Sequence, residues 1–395
     1  MTSSAQTPAS LLLISARLQF DNGSGVNARN VGVGVSDAWR ETSVWDEALA
    51  IAATHGMRPL LYRFLSASGV AAIPDYVTAA LQEFTQQNLK KNLRMTGELI
   101  LLLRLFADCG VNVIPFKGPT LAALAYGDLG LREFGDLDLL IAKPDFMKAR
   151  ELLIARGYQP EMQLDARQTT AFVEAANVMA FWHPEKEILV ETHWELSPKY
   201  MLFSPDLERL RQRMITSHPG GQTVMTLSPE DLLVYLCAHG AKHAWERLIW
   251  IADVAGLIHR HSNLDWHRVY GLAVEQRCER ILSLGLRLAR DVAGVTLPAT
   301  MEELVQSDAE SERLAAKVTH WLFPDSDSPR GLGAQTLFIF NCQRRWADKI
   351  RSFARLVTTA SAADWNAFPN LRQFAWAYPL LRPLRLLSKL VRGGW

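Results

Sequence analysis

The chain has 395 residues, with 49% hydrophobic and 21% charged side chains, and carries 42 Lys and Arg against 41 Asp and Glu. That balance excludes a disordered chain and a strongly basic nucleic-acid binder, and at roughly 100–200 residues per domain it allows two or three domains with sizeable cores. The four cysteines (Cys109, Cys237, Cys278 and Cys342) are scattered without a CxxC pair, so neither a disulfide framework nor a zinc ribbon is expected, and reduced thiols in the cytoplasm are.

Residues 1–40 show no helical period and read as an irregular or weakly stranded segment. The run Leu11–Ile14 lacks a basic region before it and is too short for a signal peptide. No stretch reaches the ~18 apolar residues that a transmembrane helix needs. Residues 41–110 form a helical region. Ser43 precedes Asp46 and Glu47, a helix start that Gly56 ends; Pro59 opens a second helix that Gly69 closes; and Asp75–Cys109 is almost free of breakers up to Gly110.

The pattern changes at residue 111. A β-type run from Val111 to Phe116 ends in Lys117-Gly118, a helix follows from Pro119 to about Tyr126, and Phe134–Ile141 reads as a buried strand. Pro144 opens a helix that Gly157 ends, and Val178–Trp182 and Ile188–His193 are two strands joined at Pro184-Glu185-Lys186. Residues 111–198 therefore form an α+β unit inside a mainly helical protein. The remainder reads as a helical bundle over 199–300 and a helical region over 301–395. Ser228-Pro229-Glu230-Asp231 starts a helix through His243, a second spans Trp245–His261, Asp265 caps Trp266–Gln276, and Arg280–Val292 continues the bundle.

The chemistry concentrates at Asp136 and Asp138. Side chains at i and i+2 of a strand share a face, about 7 Å apart, where two carboxylates repel unless a cation lies between them. Such oxygen ligands suit Mg²⁺ or Mn²⁺ together with substrate phosphates; solvated strand-end acids are the alternative. Upstream, Gly118 at a helix start allows close approach of a phosphate, and Lys117 adds a charge. Downstream, Glu191 lies between apolar neighbours. A strand pairing beside Asp136–Ile141 would bring it to the same ions, and three acids could activate a hydroxyl for in-line attack on phosphorus.

The order Lys117-Gly118, helix, Arg132, Asp136-x-Asp138, Gly157-Tyr158 and Val190-Glu191-x-His193-Trp194 resembles the uncharacterised bacterial nucleotidyltransferase family of the polymerase-β-like superfamily. The flanks Trp45, Pro59-Leu60-Leu61-Tyr62, Leu227–Asp231, His239-Gly240-Ala241-Lys242-His243, Trp245, Arg247 and Asp253 extend the resemblance over about residues 40–290. It implies a small mixed-sheet nucleotidyltransferase palm that binds an NTP. By the same resemblance Asp136 and Asp138 are metal ligands, Glu191 the third acid as base or second-metal ligand, and Gly118 the phosphate turn. Two features depart from the superfamily pattern: Pro119 follows Gly118 where Gly or Ser is usual, and the third acid is Glu where Asp is most frequent.

Three further groups have alternative uses. His239 and His243 have a metal-ligand spacing but lack the glutamate of a zinc protease; His239, Lys242 and Arg247 could instead line an NTP cleft, or serve only structure. Arg132 could clamp a triphosphate or be a surface charge, and Asp253 could pair with Arg247 or Lys242. The C-terminal Arg382, Arg385, Lys389 and Arg392, with Leu384, Leu386, Leu387 and Leu390 between them, suit a basic amphipathic helix at a membrane or partner, or a helix packed on the bundle with its basic face in water. The expected function is transfer of a nucleoside monophosphate from an NTP to the hydroxyl of a small molecule, glycan or protein, without long nucleic acid. A catalytically silent scaffold and a phosphotransferase using the same NTP site are the alternatives.

Overall fold

The computed structural model describes residues 7–18, 42–68, 73–323, 332–368 and 374–392. Four helices come first: α1 (Pro8–Leu18), α2 (Thr42–His55), α3 (Arg58–Ser68) and α4 (Asp75–Asp108). The α+β unit follows as β1 (Val113–Pro115), α5 (Gly118–Tyr126), β2 (Asp136–Ile141), α6 (Phe146–Ala155), β3 (Gln159–Pro160), α7 (Ala166–Ala175), β4 (Val178–His183) and β5 (Ile188–His193). Then come α8 (Leu207–Gln212) and a hairpin of β6 (Ile215–Ser217) and β7 (Val224–Thr226). Helices α9 (Pro229–Lys242), α10 (Leu248–Arg260), α11 (Trp266–Glu275), α12 (Glu279–Ala293), α13 (Ala299–Ser307) and α14 (Ala309–Leu322) build the bundle, and α15 (Leu332–Cys342), α16 (Trp346–Thr358), α17 (Ala362–Ala367) and α18 (Tyr378–Arg392) complete the chain.

The five-stranded sheet has the order β1-β2-β5-β4-β3, with β2 and β5 parallel and the other pairs antiparallel. This is the expected α+β arrangement of a small mixed sheet in a mainly helical chain. Both edge strands contain a proline, Pro115 and Pro160, which lacks the N–H needed inside a ladder and so belongs at an edge. Strand alternation divides β2 between two cores. Leu137, Leu139 and Ile141 pack with Phe106 of α4, Phe146 of α6 and Phe172 of α7, whereas Leu140 joins the bundle core that contains Leu232, Tyr235 and Leu236 of α9. Asp136 and Asp138 share Leu140's parity and therefore face the bundle.

Three expectations need correction. Residues 8–18 are helical, and Leu11, Leu12 and Ala16 are buried against the bundle; the rest of that N-terminal stretch, 1–6 and 19–41, lies outside the described residues, as does Gly69. Part of 199–228 is the β6–β7 hairpin, whose Gly220 and Gly221 adopt φ of +59° and +79° at the turn, and whose Thr226 hydroxyl donates to Pro115 O at 2.6 Å. The helix expected from Trp245 starts at Leu248, because Ala244 and Trp245 both take left-handed backbone (φ +48° and +54°) and turn the buried indole back onto α9.

Candidate active site

The end of β1 delivers Phe116-Lys117 to a bend at Gly118, the first residue of α5, with Pro119 next in its first turn. Gly118 has φ +51°, and a Cβ there would lie 3.0 Å from Asp136 O, so the bend is pressed onto the start of β2. The connection into β2 is held from α4. Asn92 Nδ2 donates to Leu129 O at 2.6 Å and Arg132 O at 2.9 Å, Asn88 Nδ2 donates to Gly130 O at 3.0 Å, and Lys91 Nζ donates to Phe134 O at 2.6 Å.

Parallel pairing sets Asp138 directly opposite Glu191, and the i, i+2 rule adds His193 to the same face. Ligand atoms of Asp138, Glu191 and His193 all lie within 4.8 Å of one another. His193 Nε2 is 3.2 Å from both Asp138 Oδ1 and Glu191 Oε2, and Lys117 Nζ is 2.6 Å from Asp138 Oδ1. Asp138 is fully buried, and its Oδ2 has no protein partner; neither has Nδ1 of His193. A buried carboxylate oxygen without a donor is costly unless something else satisfies it. Among the described residues this group of two carboxylates and one imidazole is the set that suits a divalent cation; the Asp136 carboxylate is not part of it and adjoins it as a neighbouring charge.

Charges follow from this crowding. Burial favours protonation of Asp138, but Lys117 and His193 outweigh it and hold the carboxyl well below the ordinary range. Burial also works against charge on Glu191, yet the hydrogen bond from His193 leaves its pKa lowered. The same two carboxylates raise His193 against its burial, and Asp138 does the same for Lys117. Asp136 moves the other way: repulsion from Asp138, then burial, raises it to about 6.

Helix α9 covers this face. Phe116 meets the His193 ring and the Tyr235 ring edge-on, each at 5.2 Å. Tyr235, His239 and His243 follow one another along α9 with ring separations of 5.8 and 4.9 Å, and Trp250 of α10 closes on both histidines. Burial, then the charge of Lys117, pushes His239 well down, and the same two causes bring Lys242 down to about 8. Lys242 feels Glu191 and Asp138 as well, so the α9 groups and the acids share one electrostatic environment.

An uncharacterised nucleotidyltransferase family model matches residues 41–294. The chain belongs to that family. No curated protein and no solved structure matches it. The matched span contains the whole nucleotidyltransferase sheet, the acid cluster and helix α9, and it ends at the last turn of α12.

Within this family member the structure brings together Lys117, Gly118, Asp136, Asp138 and Glu191, with His239 and Lys242 on the facing helix. Arg132 stands apart. Its Nε and Nη2 donate to Asp253 Oδ1 and Oδ2 at 2.8 and 3.0 Å, and the Tyr126 hydroxyl donates to Asp253 Oδ1 at 2.9 Å. Arg132 is buried in this pair, neither a free triphosphate clamp nor a surface charge, and Asp253 pairs with Arg132 instead of Arg247 or Lys242. Arg247 Nε donates to Thr54 O at 3.1 Å. Candidate residues to which the sequence reading gave no role are His193, quoted only within the resembling motif, and Tyr235. For His193 the signal was present, since it stands two residues beyond Glu191 on the same strand; for Tyr235, whose contact with Phe116 is tertiary, there was none.

Proposed function

We propose that the protein transfers a nucleoside monophosphate from an NTP to an acceptor hydroxyl, with Mg²⁺ or Mn²⁺ held by Asp136, Asp138 and Glu191. The observation that supports this reading is the parallel register of Asp138 with Glu191, which sets the two carboxylates on one face, with Asp138 Oδ2 unpartnered and Lys117 of the bend on Oδ1. A bound divalent ion supplies charge neutralisation on the phosphates and makes the α-phosphorus more electrophilic.

The chain's own groups do the rest. The Gly118 bend and the first turn of α5 receive the triphosphate, and Lys117, held at the bend, contributes positive charge to it. Lys242 and His239 close the cleft from α9. Glu191, partly open to solvent, takes the proton as the acceptor oxygen attacks. A new bond forms between that oxygen and the α-phosphorus, the bond from the α-phosphorus to its bridging oxygen breaks, and pyrophosphate leaves with the electron pair. His193 Nε2 orients the Glu191 carboxylate through its hydrogen bond. The Arg132–Asp253 pair fixes the approach to β2 without touching substrate.

Pyrophosphate release from each NTP in the presence of Mg²⁺ or Mn²⁺, with labelled acceptor pools, tests the proposal. Asp138→Asn and Asp136→Ala abolish release if it holds; release equal to that of the parent chain removes it. One observation favours a second reading, a silent scaffold: the Lys117 ammonium is already seated on Asp138, where an active site would admit a metal. Calorimetry with MgATP separates the two, since a silent scaffold without a nucleotide site gives no heat at millimolar ligand.

A further inference from the structure

Helix α18 does not place Arg382 and Arg385 in water, as its bundle-packed alternative expected: the buried Arg382, together with Arg385, is paired to the buried Asp364 of α17. Leu380, Leu384 and Leu387 instead face outward, exposed by 66%, 63% and 57% at i, i+4 and i+7. Helix α16 repeats the spacing: Trp346, Ile350 and Phe353 are exposed by 71%, 64% and 54%. The two stripes meet. Phe353 of α16, Leu387 of α18 and the exposed Leu337 of α15 line one cavity of about 870 Å³. Contiguous exposed apolar surface of this kind marks an interaction site.

The charges name the partner. Residues 343–395 carry ten Lys and Arg against two Asp and Glu, in a chain whose net charge is +1. Both acids, Asp348 and Asp364, are buried and paired to arginines, so among the described residues every exposed charged side chain of this segment is positive. Arg344, Arg351 and Arg355 are exposed beside the α16 stripe, and Lys349 lies 5.2 Å over the Trp346 ring. A soluble protein partner with an apolar groove needs no such one-sided charge. Exposed tryptophan flanked by long basic side chains suits the headgroup layer of a bilayer, where the ring sits at the interface and the cations meet anionic lipid. Among the described residues no helix is long and apolar enough to cross a membrane, so the face would lie on a bilayer and not through it.

We propose that α16 and α18, which lie outside the span matched by the nucleotidyltransferase family, form a docking face for a bilayer containing anionic lipids. The occupant is the lipid surface itself, with the cavity between the helices open to apolar chains.

Co-sedimentation of the full chain with vesicles tests this independently of any NTP chemistry. One vesicle is phosphatidylcholine alone and the other is phosphatidylcholine with one-third phosphatidylglycerol. The chain partitions onto the anionic vesicles and not the neutral ones, and raised salt weakens the binding. Trp346→Ser with Phe353→Ser, both surface positions, lowers partitioning at least about tenfold, as does Arg344→Gln with Lys349→Gln, while thermal unfolding stays unchanged. Equal partitioning of the parent chain onto both vesicles, absence from both, or indifference to the apolar substitutions overturns the proposal. So does light scattering that shows a dimer dissociated by Trp346→Ser with Phe353→Ser, because the face is then an interface between copies.

Discussion

Arg132 and Asp253, 121 positions apart, are joined by two hydrogen bonds of 2.8 and 3.0 Å with both side chains buried. The pair ties the loop that enters the Asp136 strand to helix α10, and Tyr126 of α5 makes the third contact. Removing one partner of a buried ion pair leaves the other charge unsatisfied, so Asp253→Ala is expected to cost about 3–5 kcal/mol, read as a fall in the urea unfolding midpoint. Arg132→Met with Asp253→Leu, which removes both charges and keeps the volume, costs far less. A single-variant loss below about 1 kcal/mol, the size of a surface pair, contradicts the structural role assigned here.

In the proposed mechanism Lys117 competes with the divalent ion for the Asp138 carboxylate. With Lys117→Met, the buried Asp138 carboxylate loses its nearest cation and the metal-free protein is destabilised. A divalent ion then restores more stability to the variant than to the parent, because nothing must be displaced from Asp138 Oδ1. The check is the shift in thermal midpoint between EDTA and millimolar Mn²⁺, measured for both proteins. An equal shift in the two shows that Lys117 and the ion do not share Asp138. Nucleotide turnover falls in the variant in either case, which makes the metal shift the decisive readout.

The sequence disclosed the acid face and concealed its supports for physical reasons. Asp136 and Asp138 in an otherwise apolar strand could share only one face, and the apolar run Ile188-Leu189-Val190 ahead of Glu191 marked its strand as an interior one. His193 obeys the same two-residue period and was legible by that rule. The partner of Arg132 was not, because it depends on how α10 crosses α5, a tertiary fact with no local signature. The left-handed backbone at Ala244 and Trp245 was equally hidden: neither residue favours it, and only burial of the Trp245 indole against Gly240 of α9 holds it there. Helix α18 shows the same limit from the opposite side. Its amphipathic pattern was plain, yet the burial of Arg382 in place of the leucines is decided by Asp364 on a neighbouring helix.

Asp136 gives the pH dependence. Its folded value of about 6 lies above the unfolded 3.8, so the native state binds more protons between those values and loses stability as pH rises through that window. Below about pH 4 the penalty is absent; above about pH 6 it is complete, and its source is repulsion from Asp138. Asp136→Asn therefore stabilises the metal-free protein by about 1–3 kcal/mol near pH 7.5 and has little effect near pH 4. A divalent ion reverses the sign, since it favours two ionised carboxylates, and its affinity falls as pH drops below 6. Unfolding midpoints of parent and variant across that range, with EDTA and with Mn²⁺, test both halves. A variant that is less stable than the parent at neutral pH without metal removes the assigned repulsion.

Gly118 provides the most local test of the bend. A left-handed φ costs an L-residue roughly 1–2 kcal/mol, and a Cβ at 3.0 Å from Asp136 O forces either the bend or the strand to give way. The atom that it meets is backbone, so no side-chain rotation relieves the contact, and the displacement passes directly to the strand carrying Asp136 and Asp138. Gly118→Ala is therefore expected to lower nucleotide turnover far more than its stability loss accounts for, on the order of a hundredfold, because a small misplacement of reacting groups is enough. Gly135 supplies the control one residue before Asp136: a Cβ there meets nothing within 4 Å and its φ is not left-handed, so Gly135→Ala keeps turnover near that of the parent. Equal losses in the two variants would mean that the loop tolerates no methyl group anywhere, and the special place of the Gly118 bend would be gone.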